Sequence, residues 1–148
     1  MVNAEIQGKV YPSAPPYLVG REKVREFARA VLSEAPLHHD PEAAKAAGYA
    51  DIIAPPTFPI VLQTSLLPNL LGDPEAEITL DRIVHGEQRF SYTRPIVVGD
   101  ELTATMRIVS IRQAGGHTML TSSTDVVDAS GAHVVTTTST LVVRGDAE

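Results

Sequence analysis

Along the first half of the chain, apolar residues recur at the spacing of helical faces. In the second half they gather into long β-branched runs. Val24, Phe27, Ala28, Val31 and Leu32 fall on one face, with Glu22, Arg25, Glu26 and Arg29 on the other. A helix is therefore expected to open at Gly20 and run to about Leu32. Residues 17–19 suit a short first strand before it, and the Pro-rich segment 11–16 should be extended or turned. Residues 33–40 read as a loop. Asp40-Pro41-Glu42 is a cap followed by proline at the first helical position, and Gly48 closes the short helix that follows. Residues 57–71 are apolar on nearly every side, which predicts a buried helix. Pro59 fits only if that helix begins near Thr57, and Pro68 should end or bend it.

Residues 82–92, 101–113, 118–127 and 132–143 are rich in strand-forming side chains, punctuated by Gly99-Asp100, Gly115-Gly116 and Ser130-Gly131. The last three runs are joined by short turns, so they should form an antiparallel meander. Helices early, a buried helix in the middle and long strands afterwards predict an α+β domain, a curved antiparallel sheet wrapped around the central helix. Long β-rich strands such as 118–127 make poor edges for a monomer, and pairing two sheets across a two-fold axis would remove that liability. A dimer is expected.

Composition narrows the chemistry. The 148 residues suit one domain, 1–148. A net charge of -6 argues against nucleic acid, which needs a basic face. With no cysteine, disulfides, zinc–thiolate sites and thiol nucleophiles are excluded. Residues 1–8 lack a signal-peptide pattern, and the longest apolar stretch, 60–71, is broken by Gln63, Thr64, Ser65, Pro68 and Asn69. The expectation is a soluble cytoplasmic protein without membrane insertion. Gly86, Gly99 and Gly116 have no phosphate-loop spacing and read as turn or bulge residues, so no cofactor is expected. The adjacent His38-His39-Asp40 is a poor metal site without further ligands, and no metal is expected.

Two stretches carry a family resemblance. One is Ser33-Glu34-Ala35-Pro36-Leu37-His38-His39-Asp40, followed by Gly48 and by Ile53-Ala54-Pro55-Pro56-Thr57-Phe58-Pro59. The other runs from Val84-His85-Gly86-Glu87-Gln88-Arg89-Phe90 through Ser91-Tyr92-Thr93-Arg94-Pro95 to Val98-Gly99-Asp100. Together they resemble the MaoC-like dehydratases and R-specific enoyl hydratases. More narrowly, they resemble the actinobacterial non-catalytic (A-type) subunit of (3R)-hydroxyacyl-carrier-protein dehydratase. The resemblance implies a hot-dog fold, and a reaction that needs a base for the α-proton, an acid for the departing hydroxyl and donors for the thioester oxyanion. Catalytic members place Asp, Asn, Pro and His in the order Asp-x-Asn-Pro-x-His, and an N–H from an Ala-His-Gly turn at the central helix.

In this sequence Pro36 and His38 match the Pro and the His, but Ser33 and Ala35 stand where the Asp and Asn belong. Ala54 matches the Ala of the turn, while Pro55 and Pro56 replace its His and Gly. Proline has no N–H to offer an oxyanion, and losing one such donor costs on the order of 3 kcal/mol, about a hundredfold in rate. The resemblance therefore implies an acyl-binding subunit for acyl-carrier-protein or coenzyme A thioesters, in fatty-acid or related lipid synthesis. It would work as a heterodimer with a catalytic hot-dog subunit, or as a homodimer. His38 is the one candidate catalytic side chain. Pro55, Pro56, Thr57, Phe58, Val61, Leu62, His85 and Arg89 are the candidate substrate-binding residues. Other readings stay open: an altered hydratase built on His38 with help from Glu34 or His39, and an acyl-thioester binding module without chemistry. A thioesterase ranks last, because residues 57–71 hold no carboxylate. For each candidate a plainer role stands beside the functional one. His38 suits a structural loop, His85 a dimer seam, Arg94 a surface ion pair and the leucines of 57–71 an ordinary core.

Overall fold

A computed structural model describes residues 2–145; Met1 and residues 146–148 of the expected domain lie outside the described residues. The early elements follow the sequence closely. Strand β1 is Tyr17–Leu18, and helix α1 runs Arg21–Ala30 with Gly20 at its N-cap. Helix α1 stops slightly short of the expected Leu32, which adopts φ 57° and is 87% exposed. Asp40 caps helix α2, Pro41–Ala46, by accepting from the Glu42 N–H at 2.9 Å, with Pro41 in the first turn. Gly48, at φ 95°, turns the chain out of that helix, a conformation that favours a residue without Cβ.

Helix α3 spans Ile60–Leu71. It starts three residues later than expected, because Pro59 sits at the N-cap and residues 56–59 form turns. Pro68 lies inside the helix and does not end it. Its missing N–H leaves only the Thr64 carbonyl without its usual donor, and the Gly72 N–H closes the end on the Pro68 carbonyl at 2.8 Å. Leu62, Leu66 and Leu70 form the buried stripe.

The second half holds β2 Ile83–Tyr92, β3 Glu101–Ala114, β4 His117–Val127 and β5 His133–Val143, of which the last three form the expected meander. One antiparallel sheet results, in the order β1-β3-β4-β5-β2. Register shifts in β2, β3 and at the end of β4 give it local bends. Gly86 occupies the β2 bulge, where a Cβ would come within 3.3 Å of the Thr140 carbonyl oxygen and Val142 Cγ2. Inward residues Leu102, Ala104, Met106, Ile108, Leu120, Val126, Val135 and Val143 form one core with the α3 stripe and Phe58. The expected edge is corrected. Residues 118–127 lie in β4 between β3 and β5, and the sheet ends at the two-residue β1 on one side and at the long strand β2 on the other. Strand order is set by distant pairings, which no local pattern encodes.

Two polar anchors hold the periphery. Tyr11 donates its hydroxyl to Asp73 at 2.7 Å, and Lys9 bridges Asp73 and Glu75, both at 2.7 Å, tying the N-terminal segment to the end of α3. Arg94 grips Asp100 with two nitrogens, at 2.8 and 3.0 Å, and reaches Asp128 at 3.2 Å.

Replacing Phe58, which is fully buried, with Ala should cost about 3–5 kcal/mol in denaturant unfolding. Hydrogen bonds from the Ser130 hydroxyl, then from Arg94, hold the Asp128 carboxyl down from 3.8 to about 2. The stability this group adds is fully present above pH 3.8 and is lost as the pH falls towards 2. Melting temperatures across that window should drop more steeply for the wild type than for Asp128→Asn.

Candidate functional site

The loop before α2 tightens into a 3-10 turn at Pro36–His38. It is pinned to the strand-like segment before α3 from both sides. The Ile53 N–H donates to the Leu37 carbonyl at 3.0 Å, and His38 Nδ1 lies 2.7 Å from the Ile53 carbonyl oxygen. A carbonyl only accepts, so Nδ1 carries the proton and Nε2 of the neutral ring is left as an acceptor. His38 is buried, at 7% exposed, yet it lines a cleft of ≈ 420 Å³ with Leu37, Ile53, Ala54, Pro56, Tyr92, Thr93, Arg94 and Pro95.

No carboxylate belongs to that lining, and its one cation, Arg94, is committed to Asp100 and Asp128. At the mouth of α3 the Pro56 carbonyl accepts the Tyr92 hydroxyl at 2.7 Å. Burial raises the pKa of the Tyr92 phenol, keeping it a donor. Tyr92 was not singled out from sequence. Its signal was the alternation along β2, which turns every second side chain to the same face.

The expected helpers of His38 are elsewhere. Glu34 and His39 line a separate cleft of ≈ 310 Å³ with Arg29, Leu32 and Ser33, and His39 Nε2 is spent on the Ser33 carbonyl at 2.8 Å. Neighbouring His38 and His39 thus bond different carbonyls, and among the described residues no three His, Asp or Glu side chains gather as metal ligands. No helix among them is long and apolar enough to cross a membrane.

A second cavity, ≈ 380 Å³, lies between α3 and the inner face of the sheet. Ile60, Gln63, Thr64, Leu67 and Leu70 form its helix wall, and Ile83, His85, Met106, Ser122, Ser139 and Leu141 its sheet wall. The candidate binding residues therefore divide. Pro56 shares the first cleft with the candidate catalytic His38, and His85 lines the second. Phe58 is a core side chain, packed edge-on against Phe27 at 5.4 Å between ring centres, and Leu62 is core as well. Pro55 is buried, Val61 half-buried and Thr57 exposed. Arg89 is exposed and paired with Glu87 at 2.7 Å. His117 accepts from the Gly145 N–H, and His133 bonds Thr136 and Thr93, the second of which lines the His38 cleft.

Comparison with known proteins agrees with this geometry. Residues 6–137 match the family model described as FAS1-like, dehydratase domain region. A UPF0336 protein of Clavibacter michiganensis is 61% identical over 145 residues, covering 98% of this chain and 97% of the relative. Among solved structures, the HadBC (3R-hydroxyacyl-ACP dehydratase) complex of Mycobacterium tuberculosis holds a chain of similar fold. Its TM-score is 0.84 at 31% identity, over 93% of this chain and 96% of that one. A MaoC-like dehydratase gives a TM-score of 0.85 at 36% identity, over 95% of this chain but only 42% of its own length. The curved sheet around α3 is thus a hot-dog fold, and the chain belongs to the FAS1-like dehydratase-region family.

Proposed function

We propose that this chain is the acyl-holding subunit of a (3R)-hydroxyacyl-thioester dehydratase, completed by a hot-dog partner that carries the Asp–His dyad. One observation carries this reading: the His38 cleft is lined on the chain leading into α3 by Ala54 and Pro56, either side of Pro55, so two successive nitrogens there lack hydrogen, and no carboxylate lines it. Dehydration needs proton transfer at two atoms and donors for the enolate-like oxygen. His38 Nε2 supplies at most one of these.

What the chain does offer is an apolar cavity beneath α3, suited to an acyl tail, and β2 as a long edge strand whose outer side suits addition of a partner sheet. A neighbour at 31% identity comes from a complex named as a (3R)-hydroxyacyl-ACP dehydratase, which supports the same class of thioester. Carrier protein and coenzyme A are both compatible as the head group. His85, at the cavity wall, and Arg89, on the exposed face of β2, are proposed to contact substrate or partner there.

The purified chain should hydrate a trans-2-enoyl thioester no faster than background, and a mixture with a catalytic subunit bearing the intact dyad should turn over. His38→Ala in this chain should leave the mixture unchanged, whereas losing a general base would cost about 10²–10⁴-fold. Strong turnover by the chain alone, abolished by His38→Ala, would assign the chemistry to His38 and overturn this reading.

A further inference from the structure

The cavity under α3 ends at a polar bridge. Gln63, on α3, and Gln88, on β2, exchange amide hydrogen bonds: Gln63 Nε2 donates to Gln88 Oε1 at 3.2 Å, and Gln88 Nε2 donates to Gln63 Oε1 at 2.9 Å. Thr137, fully buried on β5, adds its hydroxyl to Gln63 Oε1 at 2.6 Å. His85 Nε2 lies 3.1 Å from both Gln88 Oε1 and Ser139 Oγ, joining the bridge to the cavity wall. One helix and two strands are thus tied together across the interior.

The bridge has a definite place. On β5 the inward residues run Leu141, Ser139, Thr137; the first two line the cavity, and the third bonds Gln63. On β2, Ile83 and His85 line the cavity, and Gln88, beyond the bulge and paired with Ser139, bonds Gln63. Further along β2, Tyr92 belongs to the His38 cleft. The amide pair therefore stands between the apolar cavity and the chain's own His38.

We propose that the Gln63–Gln88 amide pair, anchored by Thr137, is the floor that sets the longest acyl chain this subunit admits. Methylene groups cannot replace an amide hydrogen bond, so a tail that passes this point must separate both glutamines from their partners in a half-buried place. The floor also keeps the cavity from opening onto His38, so a tail must enter from the side away from that residue. At ≈ 380 Å³ the space lies near the small end of the ~300–1,000 Å³ range of small-molecule sites, which favours short and medium straight chains. The inference rests on the acyl-subunit reading for its ligand class, while its residues and geometry stand independently.

The test is binding, measured without turnover. Straight-chain trans-2-enoyl pantetheine thioesters of increasing length, from crotonyl upward, are titrated calorimetrically into the full chain. Wild type is compared with Gln63→Ala/Gln88→Ala and, separately, with Leu67→Phe, which fills the cavity from its helix wall. Wild-type affinity should rise with length and then break. The double variant should move the break to longer chains, strengthening binding of the first rejected thioester about 10–100-fold. Leu67→Phe should move it to shorter chains, which places the tail in the cavity; should the double variant melt below the assay temperature, the single variant Gln88→Ala, which leaves Gln63 on Thr137, should still move the break to longer chains. A break that stays in place in folded variants, an affinity that climbs without a break, or no binding at any length overturns the floor. A moving break with no turnover in the two-subunit mixture sinks the dehydratase reading and leaves the floor standing; turnover with a fixed break does the reverse.

Discussion

The structure depends on the seating of α3 inside the curve of the sheet. Leu62, Leu66 and Leu70 lie on the inward residues of β3, β4 and β5, and Phe58 wedges the start of the helix against Phe27 and Tyr17. Burying each of the three leucines and Phe58 contributes on the order of 1.5–3 kcal/mol. Both clefts are by-products of that seating. The His38 cleft forms where the chain leading into α3 passes the end of β2. The deeper cavity forms where the neighbouring helix face, Ile60, Gln63, Thr64 and Leu67, stands off the sheet.

The entry to α3 trades chemistry for rigidity. A helix N-terminus normally offers unpaired N–H groups, which suit a developing negative charge. Here Pro55, Pro56 and Pro59 remove three of the donors around that entry, while fixing the backbone that carries Ala54 and Phe58 into the core. Tyr92 uses the carbonyl of Pro56 as an acceptor, so the turn meets the cleft with an oxygen where an oxyanion would need hydrogen. His38 Nδ1 is held by the Ile53 carbonyl, not by a carboxylate that could stabilise an imidazolium, which fits the proposed division of labour with a catalytic partner.

Much of this was legible in the sequence wherever the signal is local. The strands fall within a residue or two of their β-branched runs, and Asp40-Pro41 caps α2 as its chemistry requires. The loss of donors at positions 55 and 56 needs no structure, since it follows from proline itself. The open edge was not legible: β2 is set apart from β3 in the sheet by two intervening strands, although it is the next strand in sequence. Nor was the division of α3, because Leu62 and Leu67 look alike along the chain, and only the position of the sheet sends one to the core and the other to the cavity. Gln63 read as an interruption of an apolar run, since its partners Gln88 and Thr137 lie 25 and 74 residues away.

The face beneath α3 is also more polar than a core requires. Ser122 pairs with Ser139 and Thr124 with Thr137 across β4 and β5, all four buried, where Val or Leu would exclude water better. Thr137 is satisfied by Gln63 and Ser139 meets His85, but the Thr124 hydroxyl oxygen is buried without a hydrogen-bond partner. An unsatisfied buried hydroxyl costs on the order of 1–3 kcal/mol. Local rules broken at the expense of stability tend to cluster at functional surfaces. Here they cluster on the strip of sheet that carries the cavity and its amide bridge, while the flanking positions Leu120, Val126, Val135 and Val143 remain apolar. Packing against α3 alone would favour apolar side chains along the whole strip; a surface that must stop or orient a ligand accounts for the hydroxyls in its middle.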